Sequence, residues 1–196
     1  MMTSDPRPWH ASALALAAGL VARVATEDLG KPTPCAGWEL SDLLGHMVGQ
    51  HRGFTPAVHA GYADVGAHAP VPFTHTAWDR SVTDLLDAFA AADLEATAVE
   101  RELSSSPQPV RRIILAQLLD TVVHAWDIAE ALQLDFEPPD GLLQPVAAVA
   151  ATIPAAASGP GGPFAPPLPE TGTLWQRTLA RVGRDATTTT ASPTQE

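Results

Sequence analysis

The sequence predicts an all-α fold: a four-helix bundle followed by a Pro/Gly-rich C-terminal arm and a short terminal helix. Three observations carry this expectation. Apolar residues recur at helical spacing through four long segments. No run alternates convincingly with the two-residue period of a strand. Amphipathic helices of this length bury their apolar stripes against one another, and a bundle is the simplest way to do so.

Each element follows from its residues. The first helix is expected over residues 9–28, with Leu14, Leu16, Leu20, Val21 and Val24 as its apolar surface and Gly30 and Pro32 as its stop. "KPTPCAGW" is a rigid connector. The second helix starts near Glu39, with Leu40, Leu43, Leu44 and Met47 on its buried stripe; it runs toward Tyr62 unless Pro56 kinks or breaks it. "GAHAPVPF" reads as a loop. A third helix is expected over 77–100 (Val82, Leu85, Leu86, Phe89, Leu94) and a fourth over 111–132, separated by "SSSPQP". After the "EPPDG" turn, "LLQPVAAVAATI" is a shorter helix with Pro145 near its start. "ASGPGGPFAPPLPE" has too much Gly and Pro for a helix or a central strand. "TLWQRTLARVG" makes the last short helix, and "TTTTASPTQE" reads as disordered. The expected organisation is a helix bundle over 8–155, a wrapping arm with its short helix over 156–185, and a tail over 186–196.

Composition narrows the function. A length of 196 residues suits one domain with a core, or two small ones. With 45% hydrophobic and 17% charged residues the chain is globular rather than disordered. The net charge of −11 argues against nucleic-acid partners and against anionic membrane surfaces. No apolar run is long and clean enough to cross a bilayer. The nearest candidate, "ASALALAAGLVARV", contains Arg23, follows His10 and lacks the usual signal-peptide flanks, so it reads as a mature helix and the protein as cytoplasmic. A single cysteine, Cys35, permits no internal disulfide and no Cys-rich zinc site. Seven histidines leave His/carboxylate metal chemistry as the option to weigh.

Asp120 and His124 lie one turn apart on one face of the fourth helix, on a stripe with Gln117, Asp127 and Ala131. That stripe either meets solvent or lines a polar site inside the bundle. His46 sits between Leu43 and Met47 on the inward stripe of the second helix, so two helices can present His46, Asp120 and His124 to one point. Spacing alone leaves the bland alternatives open: an acid–imidazole pair on a helix is usually local, and a core histidine is usually satisfied by a neighbour. Asp127 is equally well read as an orienting partner of an imidazole or as a structural hydrogen bond. Gln50 either lines a pocket or makes a bland polar contact. Trp38 and Trp126 read as packing anchors. Cys35, ahead of a helix N-terminus, reads as structural rather than nucleophilic. His51 and His59 are too far apart, with Pro56 between, for a joint site. His10, His68 and His75 are expected to be solvated.

"TPCAGWELSDLLGHMVGQ" resembles the TPCxGWxVxDLLxH motif of the mycothiol-dependent maleylpyruvate isomerase N-terminal family, and "DTVVHAWDIAEAL" resembles its (D/E)xxxHxWDLAxA signature. "GPFAPPLPE…LARVGRD" resembles the end of a short subgroup of uncharacterised metal-binding proteins in that family. The resemblance covers about residues 9–185. It implies a DinB-like (DinB/YfiT) four-helix bundle with a divalent metal between helices, and it assigns the metal to His46, Asp120 and His124. Zinc is the expected metal, with nickel or iron as alternatives. The isomerase carries glutamate where this chain has Asp120, one methylene shorter. Three protein ligands leave open positions, so the resemblance implies a metal-dependent enzyme acting on a small molecule, with a low-molecular-weight thiol such as mycothiol as cosubstrate, in isomerase or S-transferase chemistry. The isomerase also has a separate C-terminal domain, for which this sequence is too short, so its own reaction is not carried over. The alternatives are a metal-dependent hydrolase or biosynthetic enzyme, or a non-catalytic metal-binding protein. A homodimer stays open.

Overall fold

The computed structural model describes residues 4–154, 159 and 164–186. The chain divides into two compact units, Met1–Asp135 and Phe136–Glu196. The first holds α1 (Arg7–Val21), α2 (Leu40–Ala60), β1 (Tyr62–Ala63), α3 (His75–Ala91), β2 (Thr97–Glu100), β3 (Gln108–Pro109) and α4 (Val110–Ala131). The four helices form the expected bundle: α1 packs on α4 and α3, and α2 on α3 and α4.

The apolar end of the bundle takes one or more residues from each of the four helices and one from β2. Leu14, Phe54, Leu85, Phe89, Ala98, Val110, Ile113 and Ile114 form one buried cluster. Each large side chain among them is worth about 1.5–3 kcal/mol of transfer free energy. This cluster fixes the pairing of the helices and hence the facing of α2 and α4.

Three local expectations change. α1 ends at Val21 rather than near residue 28. Beyond it the Asp28 side chain accepts from the Ala25 N–H at 2.8 Å, an alternative to the helical bond that closes the short 3₁₀ turn Thr26–Asp28. α3 ends at Ala91 rather than near residue 100, because Thr97–Glu100 is a strand. β2 pairs in parallel with β1 and antiparallel with β3, so the described residues hold a small three-stranded sheet that periodicity did not indicate. Pro56, by contrast, does not stop α2, which continues to Ala60 and ends on Gly61 at φ +79°, in the left-handed region that glycine tolerates.

The segment after α2 is positioned by a glycine face. Gly45, Gly49 and Gly53 recur every four residues along α2, and residues 68–71 lie against them. The Val71 N–H donates to the Gly45 carbonyl at 3.0 Å. A Cβ on Gly49 would lie 2.6 Å from the Ala69 carbonyl oxygen and 2.7 Å from that of His68. The "GAHAPVPF" loop is therefore a fitted strap whose 3₁₀ turn, Val65–His68, buries His68.

The second unit pairs α5 (Asp140–Ala150) with α6 (Leu174–Arg181). Arg181 reaches the open carbonyls at the end of α5, donating to Ala150, Ala151 and Ile153 at 2.8–3.2 Å. The Pro-rich stretch before α6 is anchored to it through the Leu168 N–H, which donates to the Ala180 carbonyl at 2.8 Å. The stretch expected to be disordered, 187–196, lies outside the described residues. No described helix is long and apolar enough to cross a membrane.

Gly49→Ala tests the strap. Alanine gains about 1 kcal/mol of helix propensity, but overpacking against rigid backbone costs about 1–3 kcal/mol. Net destabilisation is the expected outcome, read as a lower urea midpoint. An unchanged or higher midpoint would mean that the strap is free to move.

Candidate metal centre

The polar stripe of α4 faces inward. Gln117, Thr121, His124 and Asp127 are all buried, which settles the choice between solvent and bundle interior. His46 on α2 reaches the same place: its ring lies 5.1 Å, centroid to centroid, from that of His124, edge to face. One donor atom each from His46, Asp120 and His124 lies within 4.8 Å of the others. Asp120 Oδ1 is 3.3 Å from His124 Nε2. Asp120 Oδ2 is a buried atom with no hydrogen-bond partner among the described residues. An unpaired buried carboxylate oxygen beside two imidazoles is costly on its own, and it is the donor set that a divalent cation satisfies. Aspartate, despite its shorter side chain, still reaches the histidines.

His124 is held on both nitrogens. Its Nδ1–H donates to Asp127 Oδ2 at 2.8 Å, and Asp127 is fully buried. That bond selects the tautomer with Nε2 directed at Asp120 and His46, the arrangement in which a carboxylate orients a metal-binding imidazole. Burial opposes a charge on His124, yet the carboxylates of Asp120 and Asp127 outweigh it and hold its pKa well above the ordinary value. Burial and the neighbouring His124 push His46 down to about 4, so it is a neutral imidazole at neutral pH.

The connector before α2 explains two further contacts. Its N–H and C=O groups close a β-turn, with the Trp38 N–H donating to the Cys35 carbonyl at 2.9 Å and Gly37 at φ +80° in the third turn position. Thr33 braces the turn: its hydroxyl accepts from the Cys35 N–H at 3.2 Å and lies 3.0 Å from the Trp38 carbonyl that it donates to. The turn sends Cys35 one way and Trp38 the other. The Cys35 thiol donates to Asp127 Oδ2 at 3.3 Å, the same oxygen that orients His124. The Trp38 ring packs on His46 at 4.9 Å between centroids. Trp126 is buried as a packing residue. Cys35 and Trp38 thus brace the site from behind, a role their sequence positions did not disclose.

Histidines expected in solvent are not all there. Of the three, His75 is exposed, but His10 and His68 are buried. His10 Nε2 pairs with Gln117 Oε1, which also accepts from the Thr121 hydroxyl at 2.8 Å. His51, far from His59, donates from Nδ1 to Ser81 Oγ at 2.9 Å, while Ser81 donates to the Trp78 carbonyl at 2.8 Å. His68 contacts Glu100 at 2.5 Å and Gln50 at 3.1 Å. Each lies on a helix flank or loop whose burial depends on a distant element.

Burial drives His10 down to about 4 and His51 down to about 3. With folded values below the unfolded value of about 6.5, the unfolded chain takes up protons that the folded chain does not. Their contribution is complete above pH 6.5 and is lost as pH falls toward the folded values. Metal-free protein should therefore lose up to about 1.4 kcal/mol per pH unit for each such histidine between pH 6 and 5. Urea unfolding should show this slope, and His51→Leu should reduce it by one proton; an unchanged slope would mean that His51 is not buried neutral. Separately, Asp127→Asn should weaken metal affinity about 10–100-fold, as measured by competition with a chromogenic chelator.

No solved structure matches the chain. Two uncharacterized proteins of Mycobacterium tuberculosis, from strains CDC 1551 / Oshkosh and ATCC 25618 / H37Rv, are each 31% identical to it over 180 residues, covering 84% of this chain and 88% of theirs. Residues 10–129 match the family described as the mycothiol maleylpyruvate isomerase N-terminal domain. That match spans more than half the chain and contains the connector, α2, nearly all of α4 and the residues His46, Asp120, His124 and Asp127, and by it the chain belongs to the mycothiol maleylpyruvate isomerase N-terminal domain family.

Proposed function

We propose that the protein is a divalent-metal-dependent enzyme of small-molecule thiol chemistry, with His46, Asp120 and His124 as the ligands. The observation that carries this reading is the convergence of their donor atoms within 4.8 Å around a buried, unpartnered Asp120 Oδ2. Two imidazoles and one carboxylate suit zinc best, with nickel and ferrous iron as alternatives. Three ligands leave a position for substrate, and a metal there supplies Lewis acidity that favours the deprotonated form of a thiol or water. The family's name, which couples mycothiol to an isomerase, supports a low-molecular-weight thiol as cosubstrate in isomerase or S-transferase chemistry.

The chain's own residues prepare for this. His46 is neutral and its lone pair is free for coordination. His124 Nε2 must give up its proton to become a ligand, and Asp127 keeps the ring in place as it does so. Asp120 and His46 are the partly exposed members of the set, so substrate approaches from their side, while His124 is buried behind them.

Protein purified without an affinity tag and reconstituted with zinc should hold about one equivalent by elemental analysis. His46→Ala and His124→Ala should lose it. Uptake should release a proton and weaken as pH falls, since protons compete for the ligands. A wild-type protein that stays metal-free with zinc, nickel and ferrous iron would sink the assignment. One that binds metal but turns over no thiol–electrophile pair would leave a metal-binding protein without this chemistry.

A further inference from the structure

We infer that Glu102, held in place by Gln50, is the group that takes the proton from a thiol entering the candidate metal centre. This rests on the metal-dependent reading above and names the residue that serves it.

The argument starts on α2. Gln50 lies one turn beyond His46 on the same face of the helix. It is buried, and both ends of its amide are engaged. Its Oε1 accepts from His68 Nδ1 at 3.1 Å, and its Nε2 donates to Glu102 Oε2 at 2.9 Å. His68 is itself fixed on its other nitrogen by Glu100, 2.5 Å away, with both side chains fully buried. Glu100 is anchored in turn by the backbone of the next residues: its Oε1 accepts from the Glu102 N–H at 3.3 Å and its Oε2 from the Leu103 N–H at 2.8 Å. The array Glu100–His68–Gln50–Glu102 therefore runs from the fully buried interior to one carboxyl that is 34% exposed.

That carboxyl has one oxygen to spare. Oε2 is occupied by Gln50, whereas Oε1 has no hydrogen-bond partner among the described residues. It also lies within the electrostatic reach of Asp120, one of the two partly exposed residues of the proposed ligand set. The groups facing it are Gln50 from α2, His68 from the 3₁₀ turn, Glu100 from β2 and Asp120 from α4. Burial raises its pKa above the ordinary carboxylate value, partly offset by Gln50 and His68 and reinforced by Glu100 and Asp120. A carboxyl held by Gln50 with one open oxygen is placed to accept a proton, and a raised pKa makes it the stronger base.

The step balances. The S–H bond of the thiol breaks, its electron pair stays on sulfur, and an O–H bond forms on Glu102 Oε1. The carboxylate becomes neutral as the thiol becomes thiolate, so net charge is unchanged and no oxidant or reductant is needed. The metal, when bound, favours the thiolate product.

Cobalt(II)-loaded protein mixed with 2-mercaptoethanol tests this in stopped flow, with the sulfur-to-cobalt absorption as readout. In the wild type, uptake should slow as pH falls through the raised Glu102 pKa. In Glu102→Gln, cobalt should bind with an unchanged spectrum, but thiol uptake should be about 100-fold slower and lack that inflection. Glu102→Asp should recover part of the rate; circular dichroism checks that both variants fold. If Glu102→Gln takes up the thiol at the wild-type rate with the same inflection, Glu102 has no such role and the metal reading stands. If wild-type protein binds no cobalt, both fall together.

Discussion

A single buried imidazole organises this molecule. His124 carries a carboxylate on each nitrogen, Asp127 on Nδ1 and Asp120 near Nε2. Both come from its own helix, three residues on and four residues back, so α4 alone supplies the pair and its orientation. What α4 cannot supply is a reason for so polar a stripe to be buried. That comes from α2, which brings His46 against the ring, and from the connector, whose thiol and indole close the site from behind. The bundle holds these elements in register through its apolar end, so the cost of burying the acids and imidazoles is offset at a distance from the site itself.

The polarity of the interior extends beyond His46, Asp120 and His124. His10, Gln117 and Thr121 form one buried group, and His51 and Ser81 another. In both, burial leaves the histidine neutral, with one nitrogen donating and the other unpartnered among the described residues. Neutral imidazoles at His10 and His51 leave the charge balance of the centre to Asp120, Asp127 and His124. The Gln50–His68–Glu100–Glu102 array is different in kind: it contains carboxylates and reaches the surface, and it starts one turn from His46. Position and exposure, rather than residue type, separate a group fit for proton transfer from groups that only fill the interior.

The glycine face of α2 links these two levels. It lets residues 68–71 lie directly on the helix, and that is what carries His68 into the interior to meet Gln50 and Glu100. A side chain on that face would push the strap outward and dissolve the array. Packing of backbone on backbone therefore sets the position of a polar network, with the tolerance of a few tenths of an ångström that close-packed interiors impose.

Local sequence dictates the helices with strong periodicity, the bundle they form, and the pairing of Asp120 with His124 on one face of α4. The reason is that the 3.6-residue repeat and the i, i+4 relation of Asp120 and His124 are local properties of the chain. The connector's turn was equally local, although its effect was not: Thr33, Gly37 and their neighbours specify a bend, but only the packed fold shows that the bend delivers Cys35 to Asp127 and Trp38 to His46. The end of α3, strands β1–β3 and the burial of His10 and His68 were decided by tertiary structure alone. Thr97–Glu100 becomes a strand because Tyr62 and Gln108, distant in sequence, pair with its neighbouring edges, and His68 is buried because a glycine face elsewhere leaves it room. Short strands and buried loop residues take their state from partners that no window along the chain contains.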